Sequence, residues 1–175
     1  MNVRFLPIDT VPQEQLSLWE SWLSPEKRQR LHRLPPQKRL QSLCGDGLAR
    51  EMLGEMLGIA PPSVTFTVGE NGKPLTDGAF FSVSHSGALV SCVVSDREVG
   101  LDLEEVRPVP ARLGQALQGQ WATAEDFWRL WTQREAALKA RGEALGAWKH
   151  ADTDDLQCVD CPAPDGYVAC ICEKR

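Results

Sequence analysis

Residues 99–104 constrain the fold more than any other segment, because apolar and acidic side chains alternate along them. The segment reads Val-Gly-Leu-Asp-Leu-Glu. In a β-strand, successive side chains point to opposite faces, so Asp102 and Glu104 share one face while Leu101 and Leu103 share the other. Two neighbouring carboxylates beside an apolar core are costly unless a cation lies between them. The pattern predicts either a site for a hard divalent cation such as Mg²⁺, or an edge strand whose two acids face solvent.

The overall composition is that of a globular chain with one domain or two small halves. It has 175 residues, of which 42% are hydrophobic and 25% charged, and a net charge of -5. That charge disfavours nucleic acid as the main partner. The sequence shows neither an apolar run long enough for a membrane span nor a secretory signal at its N-terminus, so a cytoplasmic protein is expected. In the cytoplasm its six cysteines are expected to be reduced thiols.

Hydrophobic periodicity and turn residues predict an α+β fold, in which helices precede short strands in both parts of the chain. The predicted helices cover 13–34 (with a new start at Ser24-Pro25), 37–57 and 124–141. The predicted strands cover 3–8, 63–68, 80–84, 88–95, 99–104, 155–159 and 167–172. The strands between 80 and 104 are expected to form one small antiparallel sheet, and 108–120 a connection with a short helix.

A second chemical feature lies in the last predicted helix. Residues 131–139 read Trp-Thr-Gln-Arg-Glu-Ala-Ala-Leu-Lys, so Glu135 and Lys139 are one turn apart and share a face. Trp131 lies one turn before Glu135 on the same side, which indicates that this face is partly covered. The alternative is an ordinary surface ion pair, which contributes about 0.3 kcal/mol.

A third feature is a histidine between two hydroxyl groups at a strand end. Residues 81–87 read Phe-Ser-Val-Ser-His-Ser-Gly. Ser84, His85 and Ser86 with the open backbone of Gly87 predict a cradle for an anion, and a histidine satisfied within a turn is the alternative. The sequence contains no nucleophile elbow, P-loop or dinucleotide fingerprint, so the reactions that depend on those motifs are not predicted.

These segments, in this order, are similar to the motifs of one enzyme family. They are Gly-Lys-Pro at 72–74, Phe-Ser-Val-Ser-His-Ser-Gly at 81–87, Val-Gly-Leu-Asp-Leu-Glu at 99–104, and Trp-Thr-x-x-Glu-x-x-x-Lys-x-x-Gly at 131–142. Together they resemble the motifs of the 4′-phosphopantetheinyl transferase superfamily. The stretch 24–30 and the helix that contains Ser42 resemble the N-terminal half of its larger, surfactin-synthetase-activating type.

The resemblance implies a monomer built from two pseudo-symmetric α+β halves. Each half would be a small, mainly antiparallel sheet packed with helices, and coenzyme A would bind in the cleft between them. Carried over to this chain, the halves would cover 1–95 and 96–175, and the second half would carry the metal ligands.

The resemblance also implies an activity, that of a holo-acyl-carrier-protein synthase type of transferase. Such an enzyme moves the 4′-phosphopantetheine group of coenzyme A onto a serine of an acyl or peptidyl carrier protein. Its Mg²⁺ would be coordinated by Asp102, Glu104 and Glu135. Glu135 would take the proton of the serine, and Lys139 would lie over the pyrophosphate and stabilise or protonate the departing 3′,5′-ADP.

The other residues carried over would bind coenzyme A. His85 with Ser84 would contact its 3′-phosphate, together with the basic pair one turn apart on the second helix, and Lys73 would add charge near the phosphates. The expected coenzyme A contacts are Lys27, Arg30, Ser42, Lys73, Ser84, His85 and Lys139.

Two departures from the family pattern leave parts of the prediction open. Gln41 stands where an arginine is usual, which leaves open how the nucleotide phosphate is bound. The segment between Glu104 and Trp131, which helps to receive the carrier protein in relatives, is short, so fatty-acid, polyketide and nonribosomal-peptide synthesis all stay open for the acceptor. One alternative is a non-catalytic relative that binds coenzyme A. Another is a zinc-stabilised binding module that uses Cys158, Cys161, Cys170 and Cys172.

Overall fold

The computed structural model describes residues 1–117, 121–144 and 153–175. Within these ranges the chain forms an α+β fold with three antiparallel sheets. The helices are α1 (Gln13–Ser21), α2 (Pro25–His32), α3 (Pro36–Leu57), α4 (Ala111–Ala116) and α5 (Ala124–Arg141). The strands are β1 (Asn2–Pro7), β2 (Thr67–Val68), β3 (Pro74–Leu75), β4 (Phe80–Ser86), β5 (Leu89–Ser95), β6 (Val99–Glu105), β7 (Leu156–Cys161) and β8 (Tyr167–Lys174).

Local capping signals set the ends of the helices that frame the site. The Ser24 hydroxyl accepts a hydrogen bond from the backbone of Lys27, which confirms the predicted new helix start. The long helix α3 ends at Gly58, in the left-handed conformation that glycine adopts at little cost. A reciprocal capping box of Thr123 and Asp126 starts α5, and Gly142 ends it in the same way as Gly58.

The two three-stranded sheets repeat one topology. The first sheet has the order β1-β5-β4 and packs against α3, and the second has the order β6-β8-β7 and packs against α5. In each, an opening strand and a long helix precede a pair of strands, and the last strand lies in the middle, antiparallel to both neighbours. The predicted α+β fold with small antiparallel sheets and helices is therefore confirmed. The division at residue 95 stays a prediction.

Two strand predictions are wrong in detail. The strand at 99–104 was expected to share a sheet with 80–95, yet β6 pairs with β8, and it meets β4 through side chains. Of the strand expected at 63–68, only Thr67–Val68 forms, as one arm of the β2–β3 hairpin. The short helix expected within 108–120 is α4, and residues 118–120 lie outside the described ranges.

The apolar face of β6 is buried where the two large sheets meet. Leu101 and Leu103 have 1% or less of their surface exposed and pack with Val93 of β5 and Ile171 of β8. Burying a leucine side chain contributes about 2 kcal/mol. The predicted alternation is therefore correct, and it turns the two acids of β6 towards the other face.

The expectation that all cysteines are reduced is wrong for two of the six. Cys158 of β7 and Cys172 of β8 face each other in register, with 4.1 Å between their Cα atoms, and form a disulfide. Cys44, Cys92, Cys161 and Cys170 are free thiols. Because two of its four proposed sulfur ligands are bonded to each other, the four-cysteine zinc site is not formed.

In the described part of the chain, no helix is both long enough and apolar enough to cross a bilayer.

Close approach of α5 to β6 depends on a glycine. A Cβ atom at Gly100 would lie 2.0 Å from the carbonyl oxygen of Ala136 and 2.3 Å from the nitrogen of Ala140. These are backbone atoms, so they cannot rotate away. Since side chains two apart in a strand share a face, the face of Gly100 that meets α5 also carries Asp102 and Glu104.

We predict that Gly100→Ala lowers the free energy of unfolding by about 2–3 kcal/mol, because helix and strand must separate. Chemical denaturation measures this loss. Gly114→Ala is the matched control, because a Cβ there would approach only side-chain atoms, the Trp121 ring at 3.3 Å and Cγ1 of Val109 at 3.4 Å, and it should change stability by less than about 1 kcal/mol. Equal losses in the two variants would contradict the prediction.

Candidate active site

Serine side chains of β4 join the two large sheets. Ser84 Oγ accepts a hydrogen bond from the backbone nitrogen of Leu103 at 3.2 Å and donates one to Asp102 Oδ1 at 2.9 Å. One step along, Ser86 Oγ accepts from the nitrogen of Glu105 at 3.1 Å and donates to Glu104 Oε2 at 2.7 Å. These serines therefore connect the edge of β4 to the acidic residues of β6.

Asp102 lies at the centre of the site. Its side chain is 8% exposed, and Oδ1 accepts from both Ser84 Oγ and the ammonium of Lys139, the latter at 2.6 Å. Its other oxygen, Oδ2, is buried and has no hydrogen-bond partner in the described ranges. A buried carboxylate oxygen without a partner is costly, so this atom is a candidate to bind a cation or a donor.

Lys139 reaches from α5 across to both strands. Besides Asp102, its ammonium donates to Ser84 Oγ and to the carbonyl oxygen of Leu101, each at 3.1 Å. The side chain is 18% exposed, so the charge is largely shielded from water. The predicted juxtaposition of Lys139 with the acids of β6 is thus present.

The other two acids are destabilised as anions. Burial raises the pKa of Glu135 to about 7, with further increases from Asp102 and Glu104 and an opposing effect of Lys139. Burial also raises the pKa of Glu104, against the hydrogen bond from Ser86. The three carboxylates are therefore close enough to repel one another, as expected of a site whose counter-charge is incomplete.

The donor set suits a hard cation, although the side chains do not converge on one point. Mg²⁺ prefers oxygen ligands, and the site offers three carboxylates, of which Asp102 has a buried oxygen without a partner. Among all described residues, however, no three His, Cys, Asp or Glu side chains converge closely enough to hold a metal ion. Lys139 instead supplies the charge that faces Asp102.

A pocket of about 250 Å³ lies between α2, α3 and β4. It brings together three of the predicted coenzyme A contacts, Lys27, Ser42 and His85. The His85 side chain reaches solvent at the pocket, but the protein atoms around its ring partly desolvate it, and this effect, with the charge of Lys38, lowers its pKa. Arg30 is exposed on α2 and does not line this pocket.

A second pocket, of about 190 Å³, lies between the β2–β3 hairpin and the end of α5. Lys73 and Lys139 both line it, and it shares Pro74, Phe81 and Val83 with the first pocket. The two pockets therefore share one wall of side chains, and Lys139, which pairs with Asp102, lines the second pocket. The predicted contacts of Lys73 and Ser84 with phosphate stay predictions. In the structure, the Lys73 ammonium and the Ser84 hydroxyl both bind other groups of the protein.

Sequence patterns did not single out Asp46, a largely buried residue that lines the first pocket. Its two oxygens accept from Arg50 Nε, at 2.8 Å, and from the ammonium of Lys27. Phe66 lies under both cations, with its ring centre 4.8 Å from the Arg50 guanidinium and 5.3 Å from the Lys27 nitrogen. The i,i+4 spacing of Asp46 and Arg50 was visible, but only the fold shows that Lys27 joins them.

Gln41 is a second residue of this pocket whose surroundings the sequence did not reveal. Its amide nitrogen donates to the carbonyl oxygen of Gly87 at 2.8 Å, which holds the β4–β5 turn next to His85. Its amide oxygen is buried and has no partner in the described ranges. The residue that replaces the usual arginine thus supports the turn and leaves one acceptor unused.

The site thus combines an ammonium that is paired with a buried carboxylate, two further carboxylates, and an adjacent pocket lined by Lys73 and Lys139. The sequence comparisons identify the family. The chain is 32% identical to the 4′-phosphopantetheinyl transferase HetI of Nostoc sp. over 161 residues, which cover 80% of this chain and 68% of that protein. The chain therefore belongs to the 4′-phosphopantetheinyl transferase family.

Other relatives carry the same family name. Over 149 residues the chain is 28% identical to the 4′-phosphopantetheinyl transferase Sfp of Bacillus subtilis, with 76% of this chain and 66% of that protein covered. Over 122 residues it is 34% identical to the 4′-phosphopantetheinyl transferase AcpT of Salmonella typhimurium, with 60% and 61% covered. The chain spans about two thirds of the length of these relatives. No protein-family model matches it.

We predict that ionisation of Glu135 destabilises the fold above neutral pH. Its pKa is raised from 4.5 to about 7, so the folded state holds the proton more tightly than the unfolded state does. Stability therefore falls as the pH rises through that window, and the full cost is present above it. In the presence of a chelator, Glu135→Gln should raise the free energy of unfolding by about 2 kcal/mol at pH 8 and change it little near pH 4.5.

The matched control is Glu143→Gln, just beyond the same helix, where the carboxylate is 46% exposed. Denaturant titrations at both pH values should show little change for this control. An equal gain for Glu135→Gln at the two pH values would contradict the electrostatic origin.

Proposed function

We propose that the chain transfers the 4′-phosphopantetheine group of coenzyme A to a serine hydroxyl of an acyl or peptidyl carrier protein. The observation that carries this proposal is the Asp102 carboxylate, which shares one oxygen with the ammonium of Lys139 and leaves the other buried without a partner. Such a group suits a reaction in which negative charge develops beside a bound cation. Membership of the family supports the same reaction.

The two adjacent pockets suit the donor. The 3′-phosphate end of coenzyme A would occupy the first pocket, where Lys27 supplies positive charge and His85 and Ser42 can donate hydrogen bonds. Its pyrophosphate would then lie towards Lys139, which lines the second pocket and pairs with Asp102, because the two pockets share a wall. Because the protein carries a net charge of -5, the ammonium groups of Lys27 and Lys139 would provide the local positive charge that attracts the donor.

The side chains supply the proton transfers. The serine oxygen attacks the phosphorus next to pantetheine, the bond from that phosphorus to the bridging oxygen breaks, and 3′,5′-ADP leaves. Glu135, with its pKa raised to about 7, would accept the serine proton near neutral pH. Lys139 would stabilise the negative charge that develops on the departing 3′,5′-ADP.

Asp102, Glu104 and Glu135 are the residues that would hold Mg²⁺. The metal would neutralise charge on the pyrophosphate and on the transferred group. The unpartnered oxygen of Asp102 and the raised pKa values of Glu104 and Glu135 support this assignment.

The direct test is the mass of an apo carrier protein after incubation with coenzyme A, Mg²⁺ and the full chain. We expect one added phosphopantetheine group and equimolar 3′,5′-ADP. Glu135→Gln should lower the rate by at least about 100-fold, because it removes the proton acceptor and a ligand for the cation. Glu14→Gln, at an exposed position of α1 that lines neither pocket, should retain activity. No added mass with carrier proteins of fatty-acid, polyketide and nonribosomal-peptide synthesis would favour a non-catalytic relative that binds coenzyme A.

Binding of Mg²⁺ can be tested without turnover. We expect Mg²⁺ to raise the melting temperature of the protein at pH 8, because a bound cation relieves repulsion among the three carboxylates. The shift should be largely lost in Asp102→Asn, which keeps the shape of the side chain but removes its charge. An equal shift in wild type and variant would contradict the metal assignment.

A further inference from the structure

The ammonium of Lys73 binds backbone carbonyls on the two elements that form the site. Lys73 directly precedes β3 in the hairpin, and its Nζ donates to the carbonyl oxygens of Lys139 at 2.6 Å, Ala140 at 3.2 Å and Val99 at 3.3 Å. The first two oxygens belong to the last turn of α5, and the third belongs to the first residue of β6. A single cation therefore connects the hairpin, the helix and the strand.

This arrangement uses the full hydrogen-bonding capacity of the side chain. A lysine ammonium has three N–H donors and no acceptor, and three carbonyl oxygens lie within hydrogen-bond distance of it here. The last carbonyls of a helix lack partners within the helix and carry its partial negative charge, so a cation is favourable at this position. No N–H group of Lys73 then remains for a phosphate.

A neighbouring side chain of the same hairpin makes a similar contact. Asn71 has a φ angle of 56°, which places its backbone in the left-handed region, and its amide nitrogen donates to the carbonyl oxygen of Gly142 at 2.9 Å. Gly142 ends α5. From one hairpin, Asn71 and Lys73 thus bind three backbone carbonyl oxygens within about one turn at the helix end, those of Lys139, Ala140 and Gly142.

We propose that Lys73, assisted by Asn71, is a positioning residue that fixes the end of α5 against β6, and that it is not a ligand of the donor's phosphates. The expected effect on transfer rests on the proposed function, whereas the positioning of the helix end does not. Lys139 offers its carbonyl oxygen to Lys73 and its ammonium to Asp102 of β6, so displacement of this helix end moves the charge that faces the carboxylate. Sequence comparison alone had assigned Lys73 to phosphate, which its contacts do not favour.

Four variants of the full chain test the proposal. Lys73→Met removes the ammonium, Lys73→Arg keeps a cation that can donate to carbonyls, and Asn71→Gly removes only the amide while tolerating the positive φ angle. Arg4→Met is the control, because that arginine lies on β1, pairs with Glu55 and lines neither pocket. Each variant is compared in kcat and KM for coenzyme A, in the Kd of 3′,5′-ADP, and in amide hydrogen exchange of residues 134–144.

A positioning role predicts a loss in kcat and faster exchange at the end of α5. For Lys73→Met, kcat should fall roughly 10- to 100-fold, while the Kd of 3′,5′-ADP changes less than about threefold. Asn71→Gly should change both readouts in the same direction to a smaller extent, Lys73→Arg should recover part of the loss, and Arg4→Met should match wild type. If Lys73→Met fails to fold, Asn71→Gly and Lys73→Arg provide the same comparison.

The opposite pattern would overturn the inference. A Kd of 3′,5′-ADP weakened about tenfold or more in Lys73→Met, with unchanged exchange at 134–144, would show that Lys73 is a phosphate ligand. If wild type transfers nothing, the proposed function fails, but hydrogen exchange still decides the inference. Faster exchange at the helix end in Lys73→Met and Asn71→Gly would support it, and unchanged exchange would reject it.

Discussion

The contact between Lys139 and Asp102 is the interaction on which the rest of the site depends. It joins α5 to β6, and Ser84 adds β4 to the same pair, so one carboxylate oxygen connects both large sheets and the helix. A buried charge pair contributes little net stability, because desolvation offsets most of the attraction. Its role is better understood as fixing geometry. Removal of one partner would leave the other buried and unpaired, which is far more costly than loss of the pair.

Two further acids near the pair of Lys139 and Asp102 add repulsion, which other contacts of the fold have to offset. Glu104 and Glu135 lie near enough to Asp102 for burial and mutual repulsion to raise their pKa values. The structure tolerates this arrangement because α5 can approach β6 closely at Gly100 and because the serines of β4 donate to two of the three carboxylates. Binding of the proposed cation would recover the stability lost to this repulsion.

Much of this could be predicted from sequence, because local rules determine it. Alternation fixed the faces of Leu101 and Asp102, and capping residues fixed the ends of α2 and α5. Which strands pair in a sheet, by contrast, depends on contacts between residues far apart in the chain. It could not be foreseen that β6 pairs with β8, because 80–104 looks like a continuous meander. The disulfide between Cys158 and Cys172 was missed for the same reason, since compartment and spacing were the only available guides.

The repeated topology of the two sheets has a consequence for how many sites can form. In the first sheet the outer strands are β1 and β4, and in the second the corresponding strands are β6 and β7. The serine contacts join β4 to β6, which are unlike edges of the two repeats. A head-to-tail junction of this kind is heterologous, so two units in a row make one junction and not two. The described part of the chain therefore has two similar units but a single set of acids at their boundary. The ratio of one site to two units follows from the asymmetry of that junction.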